Sequence, residues 1–416
     1  AKTIILNMRV LMFGWEYPPY AAGGLATATI ALASGLVRRG HQVTLVVPFP
    51  AAPGVGGVRV VSASDVSPNL RVLRVSSSLS PYATAHSAPS APWARRGGPT
   101  AYRDSLFEDV EDYAIAARRI AATEAHDVVH VHDWMTYAAG MEARTVSRKP
   151  LVAHIHATEH DRSGDWANPE ILRRERAGLR AADRVIANSY VTKRQVVEGY
   201  GVPGDRVDVV HWGIEAPEPG DVHLPSPFGD GVPIVAFVGR LVMQKGPDYF
   251  IEAAAKVAAR HPTVCFVVGG TGDMLPALFD RCIALGIVHR VYFTGGLSRA
   301  DTERLYRIST CVVMPSVSEP FGLVALESLR AGTPVIISKT SGVAEAVANM
   351  VTVDFWDVND IADKILAVVS DAVLARELRD RSREELQDLR LGPDEPARLT
   401  AESYEMAAGH GAMAPV

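Results

Sequence analysis

Residues 318–327, with the sequence SEPFGLVALE, carry two carboxylates around a predicted helix start. The helix is predicted to begin near Gly322, directly after a strand. The backbone N–H groups of Gly322 and Leu323 would have no helical partners there and could bind a phosphate or a sugar hydroxyl. Glu319 would keep its charge just ahead of the helix. Glu327 lies inside an apolar run, where it either faces solvent or serves a ligand.

Two cations follow a predicted strand in the same half of the chain. Arg240 offers a bidentate fork for a phosphate, and Lys245 offers a mobile point charge. The glycine-rich turn at residues 269–273 follows the next strand and would tolerate an anion. Cations for phosphates and carboxylates for hydroxyls together suit a nucleotide diphosphate that bears a sugar.

An early loop, residues 14–25, joins the first predicted strand to the first predicted helix. Gly23 and Gly24 would let a ligand approach the bare backbone, and a helix N-terminus favours an anion. The loop is neither G-x-G-x-x-G nor a P-loop, which argues against dinucleotide and Walker-type sites. A plain strand-to-helix turn is the alternative interpretation.

Histidines cluster at the ends of two further predicted strands. In the first segment, HVHDW, His130 and His132 lie on one face of a strand and could form a metal pair, but no third ligand is obvious nearby in sequence. We expect Asp133 to be the polar contact at the strand tip and His130 to be a core residue. In the second, HIHATEHDR, His156 and His160 have the i, i+4 spacing of a zinc pair but straddle a strand-to-loop boundary. We therefore expect no metal site, and we expect His156 to donate hydrogen bonds to a substrate.

Strands and helices alternate along the chain, which predicts an α/β protein with parallel sheets. The predicted strands are residues 9–13, 41–47, 128–131, 151–155, 184–187, 207–210, 234–238, 264–268, 291–293, 311–314 and 334–337. The predicted helices are residues 25–39, 109–125, 135–147, 169–181, 189–199, 247–260, 274–285, 299–308, 322–331, 357–369, 372–390 and 395–408. Two doubly wound sheets in series would place a cleft between their strand ends, where such sheets bind ligands.

Composition and length limit the classes of protein that remain. The chain has 416 residues, enough for two or three domains, and its 42 basic and 47 acidic residues give a net charge of −5. This balance argues against a nucleic-acid or membrane-surface binder. The three cysteines exclude a disulfide framework and fit a reducing compartment. Since no long apolar run or signal peptide is recognisable, we expect a cytoplasmic protein without a membrane span.

Two segments interrupt the alternation. Residues 76–100 are rich in Ser, Ala and Pro, which predicts a long loop beside a site. Residues 215–233 are rich in Pro and Gly, which predicts an interdomain linker.

Five motifs occur in a specific order: the Gly-Gly-Leu loop, HDW, HATE, G-R-x4-K-G and E-x7-E. Together they resemble the retaining GT-B glycosyltransferases of family 4, and above all the bacterial and archaeal glycogen synthase-like branch. The match covers about residues 9–370. The resemblance implies two Rossmann-like doubly wound domains that face each other across a cleft. Residues 1–215 would form the acceptor-side domain, residues 216–394 the donor domain, and residues 395–416 a tail that returns to the first domain.

The resemblance also implies roles for particular residues. Arg240 and Lys245 would hold the donor diphosphate and stabilise the departing charge, and Glu319 would contact the donor sugar near the reacting carbon. With His156, these form the expected catalytic set. The expected donor-binding set is Gly23, Gly24, Asp133, Gly322, Leu323, Val324 and Glu327, with Glu327 on the ribose hydroxyls. Such enzymes need no metal or other cofactor, because Arg and Lys supply the positive charge.

The leading hypothesis is therefore a metal-independent retaining transferase that moves a hexosyl group, with glucosyl as first choice, from a nucleotide-diphosphate sugar. The acceptor would be a hydroxyl of a glucan, a sugar or a small molecule such as a natural product. Three alternatives stay open: a nicotinamide-dependent oxidoreductase, a non-catalytic sugar-nucleotide-binding protein and a nucleotide-sugar epimerase. The missing G-x-G-x-x-G disfavours the oxidoreductase.

Overall fold

The computed structural model describes residues 7–17, 24–49, 54–64, 99–214, 226–229, 231–387 and 391–411. Gly23, residues 76–98 of the predicted loop and most of the predicted linker lie outside these ranges. The described chain divides into two compact units. The first comprises the described residues up to Trp212 together with those from Pro393 onward, and the second comprises residues 213–392.

The first unit is built on a parallel sheet whose strands follow the order β3-β2-β1-β4-β5-β6-β7. These strands are β1 (Arg9–Phe13), β2 (Gln42–Val47), β3 (Arg59–Ser62), β4 (Val128–His132), β5 (Leu151–Ile155), β6 (Arg184–Ala187) and β7 (Val207–Val209). Its helices are α1 (Gly24–Arg38), α2 (Pro99–Thr123), α3 (Trp134–Ser147), α4 (Glu159–Ser163), α5 (Pro169–Ala181), α6 (Tyr190–Tyr200) and, at the end of the chain, α13 (Glu395–Gly411). Helix α13 packs against α1, β5 and β6 of this unit.

The second unit repeats the design with a sheet of order β10-β9-β8-β11-β12-β13, again parallel. Its strands are β8 (Ile234–Val238), β9 (Cys265–Gly269), β10 (Val291–Gly295), β11 (Cys311–Met314), β12 (Val335–Ser338) and β13 (Val351–Val353). Its helices are α7 (Pro247–Arg260), α8 (Leu275–Ala284), α9 (Arg299–Ile308), α10 (Leu323–Arg330), α11 (Val358–Ser370) and α12 (Ala372–Leu386).

Burial explains why most positions of the central strands are apolar. Every residue of β4, β5 and β11 is buried, because helices cover both faces of a parallel sheet. Each unit has its own hydrophobic core, made of strand residues and the helix faces that pack on them. Both sheets have the doubly wound order 3-2-1-4-5-6 at their centres, which confirms the predicted fold class.

The structure also corrects several predictions. Helix α2 begins at Pro99 rather than at residue 109, so the predicted loop does not reach residue 100. The added turns are stabilised by tertiary packing, since Leu106 and Phe107 lie against the core of the first unit. The edge strands β3 and β13 were not predicted, because their short, partly exposed runs resemble loops. No helix in the described part of the chain combines the length and the apolar character that a membrane span requires.

Candidate active site

The two sheets each have a point at which the strand order reverses, and ligands of such sheets bind beyond the strand ends at that point. In the second unit this point lies between β8 and β11, and in the first unit between β1 and β4. Five of the segments singled out in the sequence follow these strands or the neighbouring β5.

Lys245 and Glu319 meet at the reversal point of the second unit. Lys245 ends a 3₁₀ turn after β8, and Glu319 follows β11. The Lys245 Nζ lies 2.6 Å from the Glu319 Oε2, and the two side chains are 21% and 8% exposed. Ser316 also donates to this oxygen, at 3.3 Å. The structure thus joins two residues that stand far apart in sequence into one partly buried ion pair.

Backbone contacts between the two loops fix this pair in place. Val317 N donates to the Gln244 carbonyl at 2.9 Å, which couples the loop after β11 to the turn that carries Lys245. Gly246 closes that turn with a left-handed φ of +64°. A Cβ on Gly246 would lie 2.1 Å from the Pro315 carbonyl oxygen, so only glycine allows this approach.

A third loop, after β12, supports the backbone of Glu319. Gly342 N donates to the Glu319 carbonyl at 2.9 Å, and Val343 N donates to the Phe321 carbonyl at 2.7 Å. The Thr340 hydroxyl donates to the Ser316 carbonyl at 3.1 Å. Sequence reasoning missed this loop, because its residues carry no charge and form no motif by themselves.

The start of α10 presents backbone donors beside Glu319. Gly322 is the residue before the helix and has a φ of +114°, and no side chain caps the helix. The first-turn residues Leu323 and Val324 therefore have amides that no side chain of the described residues caps. A helix start of this kind suits an anion or a sugar oxygen.

Arg240 and Glu327 each form a side-chain hydrogen bond within the second unit. The Arg240 Nη2 donates to the Gln244 Oε1 at 3.2 Å, so it is tied to the residue before Lys245. Glu327 accepts from the Tyr306 hydroxyl at 3.2 Å. Burial raises the pKa of Glu327, and the Tyr306 hydrogen bond partly opposes this rise. The Glu327 side chain is half buried, so it does not simply face solvent.

Asp133 is fully buried at the reversal point of the first unit. Its Oδ1 accepts from His156 N at 2.7 Å, and its Oδ2 accepts from Arg162 Nη2 at 3.2 Å. Arg162 also donates to the Glu175 Oε1 at 3.2 Å, and these three side chains are between 1% and 3% exposed. Burial raises the pKa of Asp133, although Arg162 lowers it. Asp133 thus holds the backbone of the His156 loop in this structure.

Glu175 is a residue that sequence reasoning missed. Burial raises its pKa to about 7, against the opposing effects of Arg162 and the Tyr200 hydroxyl, which donates to it. No signal in the sequence marked it, because α5 is rich in charged residues. Helix α4 was missed too, but its T-x-x-D capping box, Thr158 and Asp161, was a readable signal.

His156 lies at the end of β5 and is half buried. Its Nε2 lies 2.9 Å from the His132 Nδ1, and its carbonyl accepts from Asn188 at 2.8 Å. Burial and neighbouring histidines lower the pKa of His156, so its ring is neutral near pH 7. The structure brings Asp133 and His156 together, as hydrogen-bonded neighbours.

Gly24 begins α1 and is exposed, with open space where a Cβ would be. The first turn of this helix already has an acidic partner, because the Glu16 carboxylate accepts from Ala26 N at 3.3 Å. Glu16 is itself buried. An anion that approached this turn would meet a carboxylate, which the prediction of a phosphate site at Gly24 did not consider.

Comparisons with known proteins agree with the fold. The family model Glycosyltransferase Family 4 matches residues 22–216, and the model Glycosyl transferases group 1 matches residues 224–385. An uncharacterized glycosyltransferase of Methanocaldococcus jannaschii is 33% identical over 361 residues, which cover 83% of this chain and 84% of that protein. A glycogen synthase of Mycobacterium tuberculosis is 28% identical over 389 residues, or 91% of this chain and 90% of that protein. The Anabaena protein HepE, solved in complex with UDP-glucose, has a TM-score of 0.70 at 18% identity and covers 96% of this chain and 99% of its own.

The chain therefore belongs to the GT-B glycosyltransferases, with a family 4 domain followed by a group 1 domain. This membership confirms the resemblance inferred from the five motifs.

Proposed function

We propose that this protein is a retaining, metal-independent glycosyltransferase that moves a hexosyl group, glucosyl in the first instance, from a nucleotide-diphosphate sugar to a hydroxyl. The observation that carries the proposal is the ion pair of Lys245 and Glu319 beside the uncapped start of α10. The similarity to a glycogen synthase and to a protein solved with UDP-glucose supports a nucleotide-sugar donor.

The chemistry follows from charge. When the anomeric C–O bond breaks, its electron pair leaves with the diphosphate, and positive charge develops on the sugar. Lys245 and Arg240 would stabilise the diphosphate together with the amides of Leu323 and Val324. Since Lys245 is paired with Glu319 before the donor binds, the carboxylate would be released toward the sugar as the ammonium turns to the phosphate. Two cations at this point would supply the charge that a metal ion supplies elsewhere, without any metal in the transfer step.

The roles of the remaining predicted residues are part of the proposal. Glu327 would bind the ribose hydroxyls, with the Tyr306 hydroxyl orienting its carboxylate. His156 would contact the donor sugar, and Asp133 would act through the backbone of His156. A cytoplasmic location is also proposed, and the free thiols of Cys265, Cys282 and Cys311 are compatible with it.

A donor screen followed by variants tests the proposal. ADP-, UDP- and GDP-sugars are compared by thermal shift, where a donor at 100 times its Kd adds about 2.7 kcal/mol to the free energy of unfolding. Transfer is then measured with a glucan, a free sugar and small-molecule acceptors. We expect Lys245→Ala and Arg240→Ala each to lower turnover by roughly 10²-fold or more. Lys256→Ala, at an exposed position of α7, is the matched control and should leave turnover unchanged.

Other outcomes would point to a different function. Near-normal turnover of Lys245→Ala would contradict the role of the ion pair. Conversion of the donor sugar without any acceptor would indicate an epimerase, and binding without turnover a carrier protein. NMR of the product should show the anomeric configuration of the donor, and addition of Mg²⁺ or Mn²⁺ should not raise the rate.

A further inference from the structure

Three histidines of the first unit share one buried place in the sheet. His130 and His132 lie two residues apart on β4 and therefore point to the same face. His154 lies on β5, directly paired with His132 in the parallel register. Each ring offers a nitrogen, and the three nitrogens lie within 4.8 Å of one another. All three residues are at most 1% exposed.

Four ring nitrogens of these three histidines have no hydrogen-bond partner among the described residues. These are the His130 Nε2, the His132 Nε2 and both ring nitrogens of His154. A buried polar atom without a partner carries its full desolvation penalty, so four of them in one cluster call for an occupant. Burial lowers the pKa of each ring, which keeps the imidazoles neutral and their lone pairs available.

The opposite nitrogens of two of these rings are already oriented by neighbours. The His130 Nδ1 lies 2.6 Å from the Tyr404 hydroxyl, and the His132 Nδ1 lies 2.9 Å from the His156 Nε2. When Nδ1 donates its hydrogen in such a contact, Nε2 keeps the bare lone pair. Histidine ligands of metals are held by this second hydrogen bond.

We propose that His130, His132 and His154 form a buried site for a borderline divalent transition-metal ion, with Zn²⁺ as its first candidate. Three neutral imidazoles are a known ligand set for Zn²⁺, and a water molecule would complete the tetrahedron. The rings stack, with centroids 4.4 Å apart for His130 and His132 and 5.3 Å apart for His132 and His154. Binding therefore requires rotation about the χ2 torsions, which are broad for histidine.

The ion would have a structural role rather than a role in sugar transfer. It would join β4 to β5, and through His130 and Tyr404 it would also stabilise the docking of α13 on the sheet. The groups proposed to stabilise the departing diphosphate, Lys245, Arg240 and the start of α10, lie in the second unit and use no metal. The two proposals can therefore fail independently.

The test uses the full chain without a histidine tag. The protein is stripped with a chelator, incubated with excess Zn²⁺, freed of loose metal and analysed by elemental mass spectrometry. We expect about one ion per chain in the parent and in His160→Gln, which alters an exposed histidine of the same segment. We expect His154→Gln to retain less than about one tenth of that amount. Zn²⁺ at 100 times its Kd should raise the free energy of unfolding of the stripped parent by about 2.7 kcal/mol.

A second measurement does not depend on the folding of a variant. Co²⁺ added to the stripped parent should give visible absorption bands of a tetrahedral nitrogen-ligated ion, and Zn²⁺ should displace them. Equal metal content in His154→Gln and the parent would overturn the proposal. A parent that bound neither Co²⁺ nor Zn²⁺ would overturn it as well.

Discussion

Replacing Arg162 by methionine tests whether the buried charges of the first unit hold it together. The change removes a cation that contacts both Asp133 and Glu175 and keeps most of the apolar stem. Removing one partner of a buried ion pair costs about 3–5 kcal/mol, because the remaining charge is left without compensation. The pKa of Glu175 is already near 7, so part of that charge is neutralised by a proton at pH 7. We therefore expect a loss of about 3 kcal/mol, at the lower end of the range.

Arg118→Met is the matched control for this variant. Arg118 lies 3.1 Å from Glu142, nearly the distance found in the Arg162 pairs, but the two side chains are 58% and 40% exposed. Exposed pairs contribute about 0–1 kcal/mol, so the control should unfold almost like the parent. The substitution is the same and the distances are nearly equal, so the comparison tests burial together with the second carboxylate that Arg162 contacts.

Urea unfolding followed by tryptophan fluorescence measures the effect. The signal comes mainly from the first unit, since among the described residues it contains Trp15, Trp134, Trp166 and Trp212, and the second unit contains Trp356. Without Arg162 the pKa of each buried carboxylate rises further in the folded state. The variant then keeps its stability at low pH, where these carboxyl groups are protonated, and loses it as pH rises. The difference in the free energy of unfolding between parent and variant should therefore grow from about pH 5 to about pH 8. A loss below about 1 kcal/mol, or one equal to that of Arg118→Met, would refute the reasoning.

Three further predictions concern single residues. Glu175→Gln should flatten the pH dependence of stability, measured as urea midpoints at several pH values. The raised pKa of Glu175 stabilises the fold below about pH 4.5, and this stabilisation is lost as pH rises through about 7. Tyr200→Phe should shift that fall to higher pH, since its hydroxyl lowers the pKa of Glu175, and an unchanged profile would count against the contact. Gly246→Ala should lower the free energy of unfolding by more than about 1–2 kcal/mol and reduce transfer, because its Cβ would meet the Pro315 carbonyl. Gly286→Ala, where φ is +71° and the space around the added Cβ is open, should cost only about 1 kcal/mol and leave transfer intact.

The alternation of strands and helices could be predicted because each element is short and its burial follows a simple pattern. The bounds of β1, β5, β8 and β11 agree with the predicted ones, since each is an apolar run closed by polar or small residues. The edge strand β13 could not be recognised, because a strand that is buried on few sides needs little apolar character. The start of α2 depends on packing against a core that the local sequence does not specify.

The candidate site, like the fold, could be predicted from the sequence only in part. Lys245 and Glu319 each belong to a motif, but only the pairing of β8 with β11 brings them to one place. Arg162 was visible within its histidine-rich segment, whereas its partner Glu175 lies on another helix and carries no signal. A residue that neutralises a charge elsewhere in the sequence becomes recognisable only when the fold has brought the two charged residues together.

The two units also differ in what stands where a helix follows a strand at the reversal point. In the first unit Glu16, in the loop before α1, accepts from the first turn of α1, and Asp133 directly precedes α3. In the second unit Gly322 precedes α10, which has neither an acidic residue in its first turn nor a side-chain cap among the described residues, and the nearby Glu319 is paired with Lys245. A carboxylate at a helix start repels an anion, whereas a glycine leaves the amides and the positive helix end available. This difference between the starts of α1 and α10, and not the number of cations alone, supports the proposed assignment of the diphosphate to the second unit.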